Sequence, residues 1–311
     1  MMNFKDLKQP ALRKAKASSL LAVGMFGGFV VASSADSPRP PFPVPFLSEH
    51  QLVQTGPHGV EFASPSVIDY YGGSWLISKR EDGSRLIVDF SKREMTEVKP
   101  KDGTYSVVTF SRMADLRRRL AEAEVRPVGA GLGGNSNAAD KSTGKPTIKV
   151  EEISDKRGPS ASPVESAVLS RASVHHFRAT SEKTSVGGAI DAWTDASIRL
   201  TPDGLAALSA FETDVLGELV RHDGEATLAS LIGETRKKAD GAFVVRTSRP
   251  VSKGSASDKI DNIVTRLETI PVLPADLLSI PEGFKRVSHP LEAMTAFAEE
   301  EASHDSSAYQ K

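Results

Sequence analysis

The sequence predicts an α+β fold, a curved and mostly antiparallel β-sheet with helices packed on one face. Three observations carry this expectation. Period-two segments bounded by Asp-Gly turns recur on both sides of a Gly/Ser-rich stretch. Each β-rich part also carries a run of apolar residues at helical spacing. Neither part is large enough to bury both of its faces alone, which argues for one continuous sheet.

The first β-rich part begins at Ser66. In Arg85–Phe90, Leu86, Val88 and Phe90 share one face, and Arg85, Ile87 and Asp89 take the other. Glu81-Asp82-Gly83-Ser84 turns into that strand, and Lys101-Asp102-Gly103 turns into the next, Tyr105–Phe110. There Tyr105, Val107 and Thr109 alternate with Ser106, Val108 and Phe110, so both faces are expected to be covered. Ser111 then reads as the cap of a helix whose apolar side is Met113, Leu116, Leu120 and Ala123.

Residues 126–163 form a flexible Gly/Ser/Asn/Lys-rich insertion, interrupted by a short strand at Thr147–Ile153. In the second part, Ala167–Arg178 and Val186–Trp193 read as neighbouring strands. Thr201-Pro202 starts a helix with an apolar stripe of Leu205, Leu208, Phe211, Val215, Leu216 and Leu219. Leu228–Lys238 fits helix and strand equally. Ala242–Arg249 and Ile260–Ile270 read as strands, and the proline-bounded Pro271–Phe284 as a closing turn of helix.

The termini suggest an address. Lys5, Lys8, Arg13, Lys14 and Lys16 precede the apolar run Ser18–Ala35, the layout of an export signal with cleavage expected after Ala35. The alternative is an uncleaved N-terminal anchor, which would be the chain's one membrane contact. Residues 36–57, rich in proline, are expected to be an extended spacer, and 291–311 a disordered tail. Residues 58–290 then form the β-rich domain. The chain has no cysteine, so neither a lipidated cysteine nor a disulfide is available, and the periplasm or cell envelope is the expected location.

Charge and motif exclude several chemistries. A formal net charge of −1 gives no global case for a nucleic-acid partner. Gly129–Gly134 satisfies GxGxxG but follows Pro127 and precedes a polar run, so it reads as a flexible loop rather than a dinucleotide site. His175 and His176 are adjacent and point to opposite faces of a strand, which does not suit one metal. Asp191 and Asp195 flank Trp193 and read as a strand end with its turn. No catalytic residue, metal or cofactor is expected.

What remains is the apolar set of the first part. Tyr71, Trp75, Ile77, Leu86, Val88, Phe90, Val107 and Phe110 are the candidate ligand-binding residues, if that face is a concave surface for an acyl chain or apolar peptide. The bland alternative is an ordinary filled core made of the same residues.

The segment RLIVDFSKREMTEVKPKDGTYSVVTF and the close LETIPVLPADLLSIPEGF carry a resemblance. With the export signal, they look like a group of uncharacterised bacterial secreted proteins related in shape to the periplasmic lipoprotein carriers. The matching positions are Ile87–Phe90, Thr104-Tyr105 and Ile280–Phe284, and the insertion at 126–163 departs from the group's compact pattern. The resemblance implies an open half-barrel and a non-enzymatic protein binding a lipid or lipoprotein segment. An envelope scaffold with a filled core is the second expectation, and a hydrolase with a scattered site the third.

Overall fold

The computed structural model describes residues 39–56, 59–124, 146–154, 166–184, 188–216, 226–251 and 258–298. The N-terminal segment 1–35, the glycines of 129–134 and Leu219 lie outside the described residues. Among those described, the strands are β1 (Phe42–Thr55), β2 (Glu61–Ala63), β3 (Val67–Gly73), β4 (Trp75–Arg80), β5 (Arg85–Asp89), β6 (Glu94–Lys99) and β7 (Thr104–Thr109). Helix α1 (Phe110–Glu124) follows, then β8 (Ile148–Ile153), β9 (Val174–Ser181) and β10 (Ile190–Arg199). Next come α2 (Pro202–Ala210), a π-helical turn (Phe211–Val215), α3 (Leu228–Lys238), β11 (Ala242–Pro250) and β12 (Lys259–Thr269). Helix α4 (Ala275–Leu278), β13 (Lys285–Arg286) and a helix α5 over residues 290–298 complete the order.

The thirteen described strands form one open sheet, ordered β13-β7-β6-β5-β4-β3-β1-β12-β11-β10-β9-β8, with β2 on β1. Apart from the short parallel pair β13–β7, its ladders are antiparallel. The α+β expectation is met, and the two β-rich parts do make one sheet. The element that joins them is β1, which pairs with β3 on one side and β12 on the other.

This corrects the spacer expected over 36–57: most of it is the central strand. Its prolines are accommodated at the strand's start, where the β1–β3 register jumps from Phe42↔Gly73 to Phe46↔Tyr71. Proline cannot donate to a ladder, so Pro43 and Pro45 sit within that irregularity. Beyond them Phe46–Thr55 pairs regularly with β12 apart from one bulge at Glu49/His50.

The expected turns are present. Asp82 Oδ1 accepts from Ser84 N at 2.9 Å between β4 and β5, and Gly103, at φ 59°, ends the turn into β7. The cap of α1 is Thr109, whose hydroxyl accepts from Arg112 N at 3.2 Å, rather than Ser111. Met113, Leu116 and Leu120 are buried as the stripe requires. Thr201 caps α2 by accepting from Gly204 N at 3.0 Å. Gly204 lies against β1, where an added Cβ would stand 2.5 Å from the Pro41 carbonyl oxygen. Leu208, Phe211 and Val215 are buried, whereas Leu216 is exposed.

Other boundaries shift. Residues 167–170 are a turn and β9 starts only at Val174; β10 runs on to Arg199, so Asp191 and Asp195 lie inside a strand. Leu228–Lys238 is helical, capped by Thr227. The tail expected from 291 begins with helix α5, whose Leu291 packs on the core and whose Thr295 is buried.

The sheet curves toward the face that carries α1, α2 and the π turn. Tyr71 on β3 and Phe243 on β11 are three strand spacings apart, about 14 Å along a flat sheet. Their ring centroids are 5.6 Å apart. In the second half β11 and β12 part company after Arg246↔Ile263. Residues 166–173 fill the divergence: the Ser166 hydroxyl donates to the Val264 carbonyl, Arg171 donates to Leu267 O at 2.9 Å, and Val168 is sealed inside.

Candidate functional site

The ladder registers arrange the helix-covered face of the first half in rows. One row crosses six strands as Phe46–Tyr71–Leu76–Val88–Met95–Val108, each residue paired with the next. All six are buried. Phe90, Phe110, Phe211 and Phe243 extend this layer with edge-on or tilted ring contacts, such as Phe110–Phe211 at 5.4 Å. The neighbouring row on the same face is Ser48–Asp69–Ser78–Leu86–Glu97–Ser106. Five of those six are polar, so the face passes from an aromatic band to a polar band within one two-residue step.

Asp69 stands at the border between the bands. Its Oδ2 is 3.6 Å from His50 Nδ1, an ion-pair distance too long for a hydrogen bond. Its Oδ1 is buried with no hydrogen-bond partner. Burial pushes the carboxyl above its ordinary 3.8, against the opposing charge interaction with His50 and the hydrogen bonds that Ser78 and Tyr71 donate to it. Burial first, and then the Asp69 charge, drives the Tyr71 phenol well above 10.0.

A buried ion pair faces this point from the helices. Arg236 on α3 binds Glu212 in the π turn through two hydrogen bonds, at 2.6 and 2.9 Å. Burial works against the Arg236 charge, but Glu212 more than offsets it and raises the guanidinium above its ordinary range. Its Nε is buried without a partner. On the far side of the π turn, Arg117 donates to Val215 O at 2.8 Å. The π turn that inserts Phe211 into the aromatic band is therefore held from both α3 and α1.

The opposite face of the same strands is a separate core. Its row reads Leu47–Tyr70–Ile77–Ile87–Thr96–Val107. Leu273, Leu277, Leu278 and Phe284, from the segment around α4, pack on Ile77, Ile87 and Val98. Gly72 permits the close approach, since an added Cβ would meet Leu273 Cγ at 2.8 Å. The Arg85 side chain donates to the Ser279 carbonyl and fastens this cover.

The eight candidate residues are thus divided. Tyr71, Leu86, Val88, Phe90 and Phe110 come together on the helix-covered face, with Leu86 and Phe90 at the margin of its core. Trp75 and Ile77 belong to the core under α4, and Val107 lies on that same face. The border residues Ser48, His50, Asp69, Ser78, Glu212 and Arg236 were not among the candidates. One available signal was Asp69 itself, an aspartate inside the strand pattern VIDYY on the side that Tyr71 buries.

Among the described residues, the cavities adjoining the helix-covered face include two small ones. One of about 140 Å³ lies beside the aromatic band among Phe42, Val44, Phe46, Ile198 and Leu200. The other, of about 200 Å³, lies among Glu97, Lys99, Ser106 and Val287. Both are below the roughly 300–1,000 Å³ of a typical small-ligand pocket. In the second half, His176 and His175 diverge as expected: His176 stacks on Trp193 at 4.3 Å, and His175 meets Glu152 at 2.9 Å. Asp195, fully buried, accepts from Ser173 Oγ, Ser197 N and Arg171. Among the described residues no group of three or more His, Asp or Glu is placed to hold a metal ion, and no helix is long and apolar enough to cross a membrane.

No protein-family profile matches this chain, and neither does any curated protein sequence. Solved structures share parts of its chain course. An uncharacterized conserved protein from Thermus thermophilus is similar over 79% of this chain and 91% of its own, at TM-score 0.36 and 7% identity. PNGF-II aligns with 82% of this chain but 33% of its own, at TM-score 0.35 and 8% identity. A LolA superfamily protein from Nitrosomonas europaea aligns with 76% of this chain and 90% of its own, at TM-score 0.26 and 9% identity. At such scores and identities nothing about activity passes from those proteins to this one.

Proposed function

We propose that the chain is an exported, non-enzymatic cell-envelope protein that takes an apolar or amphiphilic ligand, a lipid or lipoprotein segment, onto the helix-covered face of its sheet. One observation carries the reading. The six-strand apolar row from Phe46 to Val108 is roofed by short helical segments rather than by a second sheet. Helix α2 has nine residues and the π turn five, lengths that are marginal without tertiary contacts. Displacing them would open an apolar surface bordered by polar groups, the two environments an amphiphile needs. Export is supported by the basic and apolar segments of residues 1–35, with processing after Ala35.

Native mass spectrometry of protein purified from its own envelope tests the binding reading. A bound lipid-sized mass is expected, and a uniformly ligand-free mass would remove its support. N-terminal sequencing of the exported protein checks the processing site. The second reading, a scaffold with a filled core, draws on the ring contacts that Phe211 already makes with Phe90 and Phe110. It expects substitutions in the apolar row to change stability and no ligand contact.

A further inference from the structure

We propose that the cavity between the start of β1 and the end of β10 seats the far end of the ligand's alkyl chain, a saturated segment of about six carbons. The proposal rests on the binding reading above and names where the chain ends. The cavity follows from irregularities in the two strands that line it. Between Phe42 and Phe46, β1 takes four steps to two in β3; between Asp195 and Arg199, β10 takes four to one in β11. Both strands leave their ladders there, and a cavity of about 140 Å³ lies between them. Close-packed interiors hold few voids larger than a water molecule, so a space of this size is a feature to be explained.

The wall decides the chemistry. Phe42, Phe46, Ile198 and Leu200 line the cavity and are buried, and the exposed Val44 stands at its mouth. Backbone polar groups around it are missing or already engaged. Pro41 and Pro43 have no N–H. The Pro41 carbonyl accepts from Thr201 Oγ1 and the Pro45 carbonyl from Ile270 N, both at 3.0 Å, while Leu200 N donates to Gly241 O at 2.8 Å. The Arg199 guanidinium donates to Asp240 Oδ2 at 2.7 Å. The hydroxyls in the lining belong to Ser197 and Thr269, both exposed. Such a wall favours methylene groups over a polar head.

Size and place agree with a chain end. An apolar cavity of roughly 150 Å³ takes up a molecule as large as benzene, which sets the scale of six carbons. The inner wall is the edge of the aromatic band: Phe42 meets Tyr71 and Phe90 at 5.3 and 5.6 Å, and Phe46 stacks on Tyr71 at 4.4 Å. Among the described residues, none from α1, α2 or the π turn lines the cavity, so an alkyl end enters without displacing the helical cover.

Methyl-resolved NMR of the protein with labelled Ile, Leu and Val, titrated with 1-butanol, 1-hexanol, 1-octanol and toluene, tests this. The alkanols should shift the methyls of Val44, Ile198 and Leu200. Affinity should rise about fourfold per methylene from butanol to hexanol and flatten by octanol. Ile198→Phe, which fills the cavity, should weaken hexanol binding at least tenfold; the wild-type series decides the matter even if this variant folds poorly. Shifts confined to Leu86, Val88 and Val108 would overturn the seat and leave the binding reading intact. A response to toluene but to no alkanol would overturn the alkyl assignment, and a steady fourfold gain through octanol would overturn a seat of this size. No shift with any probe would also overturn the seat, while a lipid-sized mass in native mass spectrometry would still support the binding reading.

Discussion

The two faces of β3–β7 were built by the same alternation, yet they are finished differently. On one face Ile77, Ile87 and Val98 are sealed by Leu273, Leu277 and Phe284 from a single segment that runs close over Gly72. On the other, an aromatic band meets a polar band, and the cover is assembled from α1, α2, the π turn and α3 through a buried Arg236–Glu212 pair. Apolar periodicity therefore specifies burial but not purpose. Both apolar rows are bordered by charged residues, Asp69 and Glu97 on one face and Glu49, Lys79 and Arg85 on the other, so what separates the faces is the cover, one continuous segment against several separate helical elements.

Substitutions on the two faces should separate stability from binding. Phe211→Ala removes the ring that plugs the aromatic band and should cost about 3–5 kcal/mol in urea unfolding. Uptake of a fluorescent acyl probe should rise, because the truncation removes the ring that fills the band and loosens the π turn over it. Leu277→Ala on the opposite face should cost about 2–4 kcal/mol and leave uptake unchanged. Equal effects of both on uptake would erase the distinction between the faces.

Acid dependence separates a carboxyl that burial raises from one that its hydrogen bonds hold low. The Asp69 carboxyl is raised in the folded protein, so its favourable contribution is complete below 3.8 and is lost as pH rises through the raised value. Asp69→Asn should remove that loss and stabilise the protein at pH 7 by about 1 kcal/mol. Asp195 behaves oppositely. Burial alone would raise it, but Ser173, Ser197 and Arg171 together hold it below 3.8, so its contribution is present above that value and lost as pH falls through the lowered one. Stability curves of Asp69→Asn and Asp195→Asn between pH 3 and 7 should therefore bend in opposite directions. The smallest effect is expected from Thr109→Ala, which deletes the α1 cap and should cost about 0.5–1 kcal/mol in thermal unfolding.

Much of this architecture was legible in the residues. Leu86, Val88 and Phe90 did share a face, and the Asp82-Gly83 and Asp102-Gly103 turns did close hairpins, because local chemistry and tertiary need agree there. The central strand was hidden by its own prolines. Pro43 and Pro45 speak for an extended spacer, and only pairing with β3 and β12, more than 200 residues away along the chain in the second case, makes Phe46–Thr55 a strand. The division of the candidate residues was equally invisible. Tyr71 and Trp75 are near neighbours in sequence, but the turn at Gly73-Ser74 sends them to opposite faces. Asp69 was passed over because nothing local tells whether a strand aspartate meets water or the margin of a core.

Amide hydrogen exchange with and without the saturating acyl probe tests the central claim most directly. Opening of the helical cover should increase exchange across residues 202–215 on binding, while β3–β7 stay protected and residues 271–284 are unaffected. Unchanged exchange over 202–215, or a response confined to 271–284, would contradict a ligand site on the helix-covered face.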